Sequence, residues 1–504
     1  MTRLTKNIIY NVAGQGLVLV LTLVAVRFIF RRLGDDVFGI IFFNLVLTTV
    51  LVAALELGVS ATIVREVSSH FDNDRDYVKA LIGTASFLYW GIGLALVVVI
   101  WVTAPLLVTH WVNLTTLAPD TAATILRILS ATALVALPKT LYTSIFRGRQ
   151  MMSLNNTIDV ATSAAQQAGT LLLLLAGAGV FVVAAWISTS LILGTIAYVV
   201  VAGRLMGWAT LKPAFSLEVV MRTIGFTGHM TVISITSLIH TQAAQVIVSK
   251  LLPIAEFGFF GFASSMVSRA NFVTTAVAQA AFPSLASLYA AGDRPSLLRQ
   301  YQKLHDLVCY GTLPFFTGLC FVAFPVYTYV FTAGVAERLL LPTAFLALGI
   351  WMNATITIPY MLSVAMGRPQ MAARLNLYAL AIVLPVSTIL IIRFGIAGAS
   401  LSMVVYDLVA YLYLMPRICR ICLQSPAGAW YVHVLKVIVL GAATYGPAWV
   451  VVSLTSVSSL PIAILAYSAG TFAFGIGAYR LIAPDLRETI QRLPRSFAAR
   501  ESAV

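Results

Sequence analysis

The chain has 504 residues, of which 60% are hydrophobic and only 10% charged, with a mean hydropathy of +0.93. A soluble protein carries about a quarter charged residues, so this chain lacks the polar surface to remain in water. Its apolar residues come in runs of about 20, long enough to cross about 30 Å of hydrocarbon as helices, whereas barrel strands would be shorter and alternating. An all-α polytopic membrane protein is expected.

Apolar runs read against charged or Pro/Gly-rich breaks place spans near 9–30, 38–59, 80–103, 121–144, 155–177, 180–202 and 224–249, then 258–282, 304–331, 339–364, 371–392, 397–415, 431–453 and 460–482. That makes fourteen helices. The opening Met1, Thr2, Arg3 runs into the first span without a small-residue cleavage site, which predicts a retained helix and not a removed signal peptide. With an N-terminus inside, 22 Lys and Arg fall in inside segments and 5 outside, which puts both termini in the cytoplasm. The net charge of +14 then faces anionic inner-leaflet lipids, and nucleic acid is not an expected partner. The four cysteines, Cys309, Cys320, Cys419 and Cys422, are too scattered for a disulfide framework. Cys419 and Cys422 have redox or half-zinc spacing, but they sit in an expected loop without a second pair, so no metal or cofactor is expected.

An internal repeat organises the chain. Arg31, Leu33, Phe38 and Gly39 recur 219 residues later as Lys250, Leu252, Phe257 and Gly258. At the same offset of 219, Asp74 and Arg75 return as Asp293 and Arg294, and Gly148 and Arg149 as Gly367 and Arg368. Two six-helix halves of the same orientation follow, residues 1–222 and 223–416, with two further helices and a basic tail in 417–504. That is the plan of a transporter whose site lies between rocking halves.

No phosphate-loop, kinase, zinc-protease or nucleophile-elbow motif is present in the sequence, so an enzyme is not expected and transport would be driven by a gradient. Polar residues within the spans are the candidates. Asn155, Asp159, Ser163, Gln166 and Thr170 share one helix face, and so do Ser264, Ser268, Asn271, Thr275 and Gln279, with Arg269 beside them. His229, Thr236 and His240, with Gln242 and Gln245 alongside, add a third polar face, and Asp407 lies near the middle of the twelfth span. A central Arg costs about 2.5–3.5 kcal/mol to insert, which predicts an interior position and an anionic partner. The competing reading is that amide and hydroxyl stripes knit helices together, that Arg27, Arg127, Lys139 and Lys436 snorkel, and that Glu56 and Asp306 pair or cap at span ends.

Asn7, Asn11, Gly14 and Gln15, then Arg32, Leu33 and Gly34 with Phe38 and Gly39, then Leu55, Glu56, Leu57 and Gly58 before Val64, Arg65 and Glu66, resemble the start of bacterial Wzx-type polysaccharide flippases. These belong to the multidrug/oligosaccharidyl-lipid/polysaccharide (MOP) exporter superfamily. Gly148-Arg149-Gln150, Phe282-Pro283 with Gly292-Asp293, and Gly367-Arg368-Pro369 are similar to its loop signatures. The resemblance implies an inner-membrane monomer that moves an undecaprenyl-diphosphate-linked oligosaccharide to the outer leaflet, alongside glycosyltransferases and a polymerase, driven by H+ or Na+. Arg269, Arg127 and Arg27 would neutralise the diphosphate, and Gln166, Thr170, Asn271, Thr275, Gln242 and Gln245 would replace the sugar's water. Many relatives carry an Asp where this chain has Ala244, which leaves Asp159, Asp407, His229 or His240 for ion coupling. Two other readings stand beside this one: a drug or cation exporter of the same superfamily, and a membrane glycosyltransferase or polymerase. The first favours an acidic cavity and the second a sizeable outer loop.

Overall fold

The computed structural model describes residues 3–56, 58–368, 370–455, 459–488 and 491. In chain order the helices are α1 (Arg3–Leu33), α2 (Asp35–Leu55), α3 (Val59–His70), α4 (Arg75–His110), α5 (Pro119–Gly148), α6 (Met152–Leu175), α7 (Val180–Met206) and the single turn α8 (Trp208–Leu211). They continue as α9 (Leu217–Leu251), α10 (Ile254–Arg269), α11 (Phe272–Ala290), α12 (Arg294–Val330), α13 (Ala333–Ala365), α14 (Gln370–Ile418), α15 (Ala427–Thr455) and α16 (Leu460–Leu481). The described residues form no named strand. Among them, ten helices are long and apolar enough to cross a membrane, against the fourteen spans expected from the sequence. The chain is an all-α polytopic membrane protein.

Two compact units divide at residue 259, the first Met1–Phe259 and the second Phe260–Val504. The repeat boundary expected from the sequence lies earlier, after residue 222; the helix that follows it, α9, packs on α2 and α3 of the first unit. The start of α10 is tied there too, since the Ile254 amide donates to the Asn113 carbonyl at 2.9 Å. The helices at 417–504 belong to the second unit, where α15 and α16 pack together and on α12.

Within the first unit, the repeat-equivalent glycines Gly39 and Gly258 face each other. A Cβ on Gly39 would lie 2.2 Å from the Ile254 carbonyl oxygen, and one on Gly258 would lie 2.9 Å from the Gly39 Cα. Their equivalent neighbours Phe38 and Phe257 are both buried beside this crossing. Where water and lipid offer no hydrophobic contrast, small residues that let backbones touch supply the packing energy. Pro138 inside α5 cannot donate to the carbonyl of Leu134. Gly93 of α4 closes on that same oxygen, which lies 2.5 Å from where its Cβ would stand. The connection before α5 is gathered by Asp36. Its carboxylate, 1% exposed, accepts from the amides of Thr115 (2.8 Å), Thr116 (2.6 Å) and Leu117 (2.9 Å) and from the Thr115 hydroxyl (2.7 Å).

The repeated acids have one job. Asp74 caps α4 by accepting from the Tyr77 amide at 3.1 Å, and Asp293 caps α12 by accepting from the Ser296 amide at 3.0 Å. Bonds from the Ser296 hydroxyl and amide hold the Asp293 carboxyl below the usual carboxylate range.

Three details depart from the sequence expectation. The span expected at 258–282 is interrupted at Ala270 and Asn271, whose amides bond three residues back, to Val267 (3.0 Å) and Ser268 (3.1 Å). The segment after 415, expected as a loop, continues as helix to Ile418 and then as a π-helical turn over Cys419–Leu423. Cys419 and Cys422 are buried there as free thiols. The spans expected at 371–392 and 397–415 run together as α14, kinked at Gly395 with φ 57° and ψ −134°, a conformation open only to glycine.

Gly39→Val pushes two methyl groups into the Ile254 carbonyl, and overpacking of this kind costs about 3 kcal/mol. Thermal unfolding of the purified protein is expected to fall by several degrees, whereas Gly16→Val, where nothing lies within 4 Å, leaves it unchanged.

Candidate functional site

Charge inside the spans is met in the first unit by an ion pair. Lys139 of α5 reaches Asp159 of α6, Nζ to Oδ1 at 2.7 Å. Lys139 stands nine residues before the end of α5 and Asp159 seven after the start of α6, roughly 10–14 Å from the helix ends at 1.5 Å per residue. Alone, each would be an unpaired charge at membrane depth; together they offset one another. Tyr198 of α7 closes the group, its ring centroid 5.8 Å from Lys139 Nζ and its hydroxyl donating to the Asn155 carbonyl at 3.1 Å. The Asn155 side-chain amide donates to the Thr143 carbonyl of α5 at 3.1 Å. Farther along the same face, the half-buried Gln166 offers its carbonyl to Trp186 Nε1 at 3.0 Å, and Thr170 is buried.

The three arginines differ in their surroundings. Arg27 is half-buried on α1. Arg127 is drawn to α4, with Nε donating to the Trp101 carbonyl at 3.2 Å and Cζ 5.7 Å from the Trp101 ring. Arg269, in the second unit, is exposed in the last turn of α10, directly before the interruption. Among the described residues it has no carboxylate partner. The helix end supplies partial negative charge from its unpaired carbonyls, which favours a cation there without neutralising it. Beyond the break, Asn271 is half-buried and Thr275 exposed, its hydroxyl donating to the Asn271 carbonyl at 3.2 Å. An interrupted helix with free termini is the arrangement by which transporters present backbone and charge to a cargo.

Gln242 and Gln245 lie half-buried on α9, and Gln242 Oε1 is buried without a partner. His229 and His240 fall on the same helix, and their side chains lie outside the described residues.

The second unit holds a buried polar group around the sequence candidate Asp407. Asp407 of α14 is fully buried; Asn353 of α13 donates to its Oδ1 at 3.1 Å, and Oδ2 has no partner. One turn on, Tyr411 bonds the Thr355 hydroxyl at 2.8 Å, and its carbonyl accepts from Tyr431 of α15 at 2.6 Å. Nearby, Asp306 of α12 accepts from the Ala483 amide at 2.6 Å and meets His433 of α15 at 3.1 Å. This is the pairing role expected of it, and it pins the two last helices to the bundle. His305, Cys309 and His433 place ligand atoms within 4.8 Å of one another, as a metal would require. Trp430 Nε1, which can only donate, spends the His305 Nε2 lone pair at 3.0 Å, so the proton sits on Nδ1 and neither nitrogen is free to ligate. His305, Trp430 and His433 escape sequence reading because each lies near a span end, where polar residues are ordinary.

An apolar groove of about 650 Å³ lies in the same unit between α12, α13 and α15, with Leu313, Phe321, Leu341, Trp351, Ile438 and Trp449 on its walls.

Comparison with known proteins gives the fold its class. A lipid II flippase, MurJ, in an inward closed conformation superposes with a TM-score of 0.71 at 14% identity, covering 94% of this chain and 99% of that one. A multidrug resistance MATE family transporter of the MOP superfamily, inward-facing, gives 0.64 at 15% identity over 81% of this chain and 98% of that one. The fold is that of a MOP superfamily transporter. A protein from Shigella flexneri named "Putative O-antigen transporter" is 20% identical over 432 residues, 82% of this chain and 98% of the relative. The polysaccharide biosynthesis protein family model matches residues 28–337, and the chain belongs to that family. The resemblance to Wzx-type flippases read from the sequence is thereby borne out.

The Lys139–Asp159 pair carries its own test. Lys139→Ala and Asp159→Ala each strand a charge at depth, and the double variant strands none. Thermal unfolding of the four proteins is expected to show that the double change costs less than the two single changes added, with a coupling of about 1 kcal/mol. Simple additivity would mean that water alone solvates both groups.

Proposed function

We propose that this protein carries an undecaprenyl-diphosphate-linked oligosaccharide from the cytoplasmic to the outer leaflet of the bacterial inner membrane, by alternating access driven by an H+ or Na+ gradient. Both termini face the cytoplasm. The observation that carries this reading is Arg269: an exposed cation with no acidic partner among the described residues, at a helix interruption inside an expected span. A lipid diphosphate brings the anion that this position lacks, and guanidinium binds phosphate oxygens through paired N–H donors. Asn271 and Thr275, just past the break, offer amide and hydroxyl groups of the kind that replace water around a sugar. The groove on α12, α13 and α15 supplies apolar surface for the polyprenyl chain. Asp407, with one carboxyl oxygen unmatched, is the acid we assign to coupling. Arg127 and Arg27 assist in charge neutralisation, and glycosyltransferases and a polymerase act on either side of the step.

The names of the relatives, an O-antigen transporter and a lipid II flippase, support the same direction. An exposed cation does not favour the cationic cargo of a drug exporter.

Arg269→Ala is expected to abolish export while the protein still inserts, and Arg269→Lys to retain partial activity. The readout is mass spectrometry of lipid-linked glycans, with sidedness tested by an impermeant lectin. Wild-type outer-leaflet glycan from a well-expressed Arg269→Ala variant overturns the role of this residue. Asp407→Asn, which keeps the hydrogen bond to Asn353 but not the titratable proton, is expected to stop accumulation against a gradient while leaving lipid-glycan binding intact.

A further inference from the structure

The repeat places the same two arginines in each unit, and in each unit the protein supplies direct partners to one of them, Arg294 in the second and Arg149 in the first. In the second unit Arg294 opens α12 and donates through Nη2 to the carbonyls of Leu423 (3.1 Å) and Cys422 (3.5 Å). Those carbonyls end the π-helical turn that extends α14. The turn thus delivers the negative end of a helix to Arg294.

In the first unit the equivalents are Arg75 and Arg149. Here α7 stops at Met206 with no π-helical turn, and Trp208 folds back onto Gly203, where an added Cβ would meet its ring at 2.8 Å. No carbonyl takes the place of Leu423. Arg75 makes no hydrogen bond, ion pair or ring contact through its side chain among the described residues. It instead lines a pocket of about 320 Å³ with Arg149, Phe71, Met151, Met206 and Thr210, within the size range of small-ligand sites, about 300–1,000 Å³. Arg149 is already set in place: its Cζ stacks 3.7 Å over the Phe71 ring, and Nη1 is 3.3 Å from the exposed Asp72. Two cations therefore line a pocket with mainly apolar neighbours, at the membrane end where the sequence distribution of Lys and Arg is expected to place anionic headgroups.

We propose that this pocket binds the phosphate of an anionic phospholipid headgroup, held by Arg75 and Arg149, in the place that helix carbonyls fill in the second unit. The shared chemistry is a phosphate ester on a guanidinium pair, which a soluble phosphate would also satisfy.

The test uses the full chain purified in detergent. Native mass spectrometry with phosphatidylglycerol and phosphatidylcholine is run on wild type, on Arg75→Ala with Arg149→Ala, and on Arg417→Ala as another exposed arginine at a helix end. Phosphatidylglycerol is expected to bind wild type and Arg417→Ala alike. The double variant is expected to lose about tenfold in affinity, as removal of charge-assisted bonds does. Should the double variant fold poorly, Arg75→Gln alone serves, since Arg75 has no partner among the described residues to lose. A parallel arm follows thermal unfolding with inorganic phosphate in lipid-free detergent. Protection of wild type by phosphate, absent in the variant, supports the site and names a soluble source; protection by phosphatidylglycerol alone supports it and names the lipid. Equal phosphatidylglycerol affinity in wild type and variant, or no response to either phosphate source, overturns the proposal.

Discussion

A polar group at membrane depth has no water to fall back on, so it must be met by another part of the chain. That constraint accounts for most of what lies inside these spans. It makes the backbone helical throughout, and it brings Gly93 onto the Leu134 carbonyl that Pro138 leaves open. It joins Lys139 to Asp159 across the α5–α6 hairpin, and His433 and the Ala483 amide to Asp306. Among the described residues several groups stay unmatched, including the guanidinium of Arg269, one oxygen of Asp407 and, at the start of α4, the side chain of Arg75. An unmatched charge of this kind is a place where a ligand or ion can stand in for the missing partner.

The repeat shows which features belong to the scaffold and which have diverged. Asp74 and Asp293 cap equivalent helices by the same bond, and Gly39 and Gly258 form one close crossing. These positions serve backbone geometry, which both halves need. The groups that carry charge have parted. Ile358 stands at the offset of Lys139, so the second half has no counterpart of that ion pair, and Asp407 is matched at the same offset by Ser188, which bonds the Ile128 carbonyl. Symmetry holds for the packing and fails for the chemistry, as expected when two units with one ancestral frame take different parts of a task.

Much of the fold was legible because hydropathy runs and turn residues report the same thing the bilayer selects. Gly34, Gly58 and Gly395 mark breaks or kinks, and glycine is the residue that such backbone tolerates. The interruption at Ala270 and Asn271 was not legible. Ser268, Arg269, Ala270 and Asn271 include no proline or glycine, and alanine is the strongest helix former, so local preference argues for continuity and tertiary structure decides otherwise. The assignment of α9 to the first unit was hidden for a related reason: the repeat records how the chain was built, whereas packing on α2 and α3 records where the helix went. Side-chain partners were the least readable. Sequence alone leaves Lys139 open between snorkelling and an interior role, and the α5–α6 hairpin shows its Nζ 2.7 Å from Asp159. The polar face of α6 accordingly combines both readings of such stripes, with Asn155 and Thr170 serving helix packing and Asp159 holding charge.

The exposure of Arg269 bears on how tightly an anion can be held. A charge pair about 4 Å apart is worth about 1 kcal/mol in water and about 4 kcal/mol at the effective dielectric of a protein surface. A buried, fully bonded arginine would hold a diphosphate at the strong end of that scale and release it slowly. An exposed one, already partly stabilised by the carbonyl end of α10, attracts the headgroup through the weaker, water-screened regime. A carrier needs a site that recognises its cargo on one side and surrenders it on the other, and that is better served by a cation in contact with water than by one sealed in the core. On the proposed reading the acid assigned to coupling, Asp407, is fully buried and would exchange an ion only when α13 and α14 admit water. Cargo recognition at an open cation and ion exchange at a closed acid would then fall in different conformations, which is the requirement that keeps a gradient from leaking through an empty carrier.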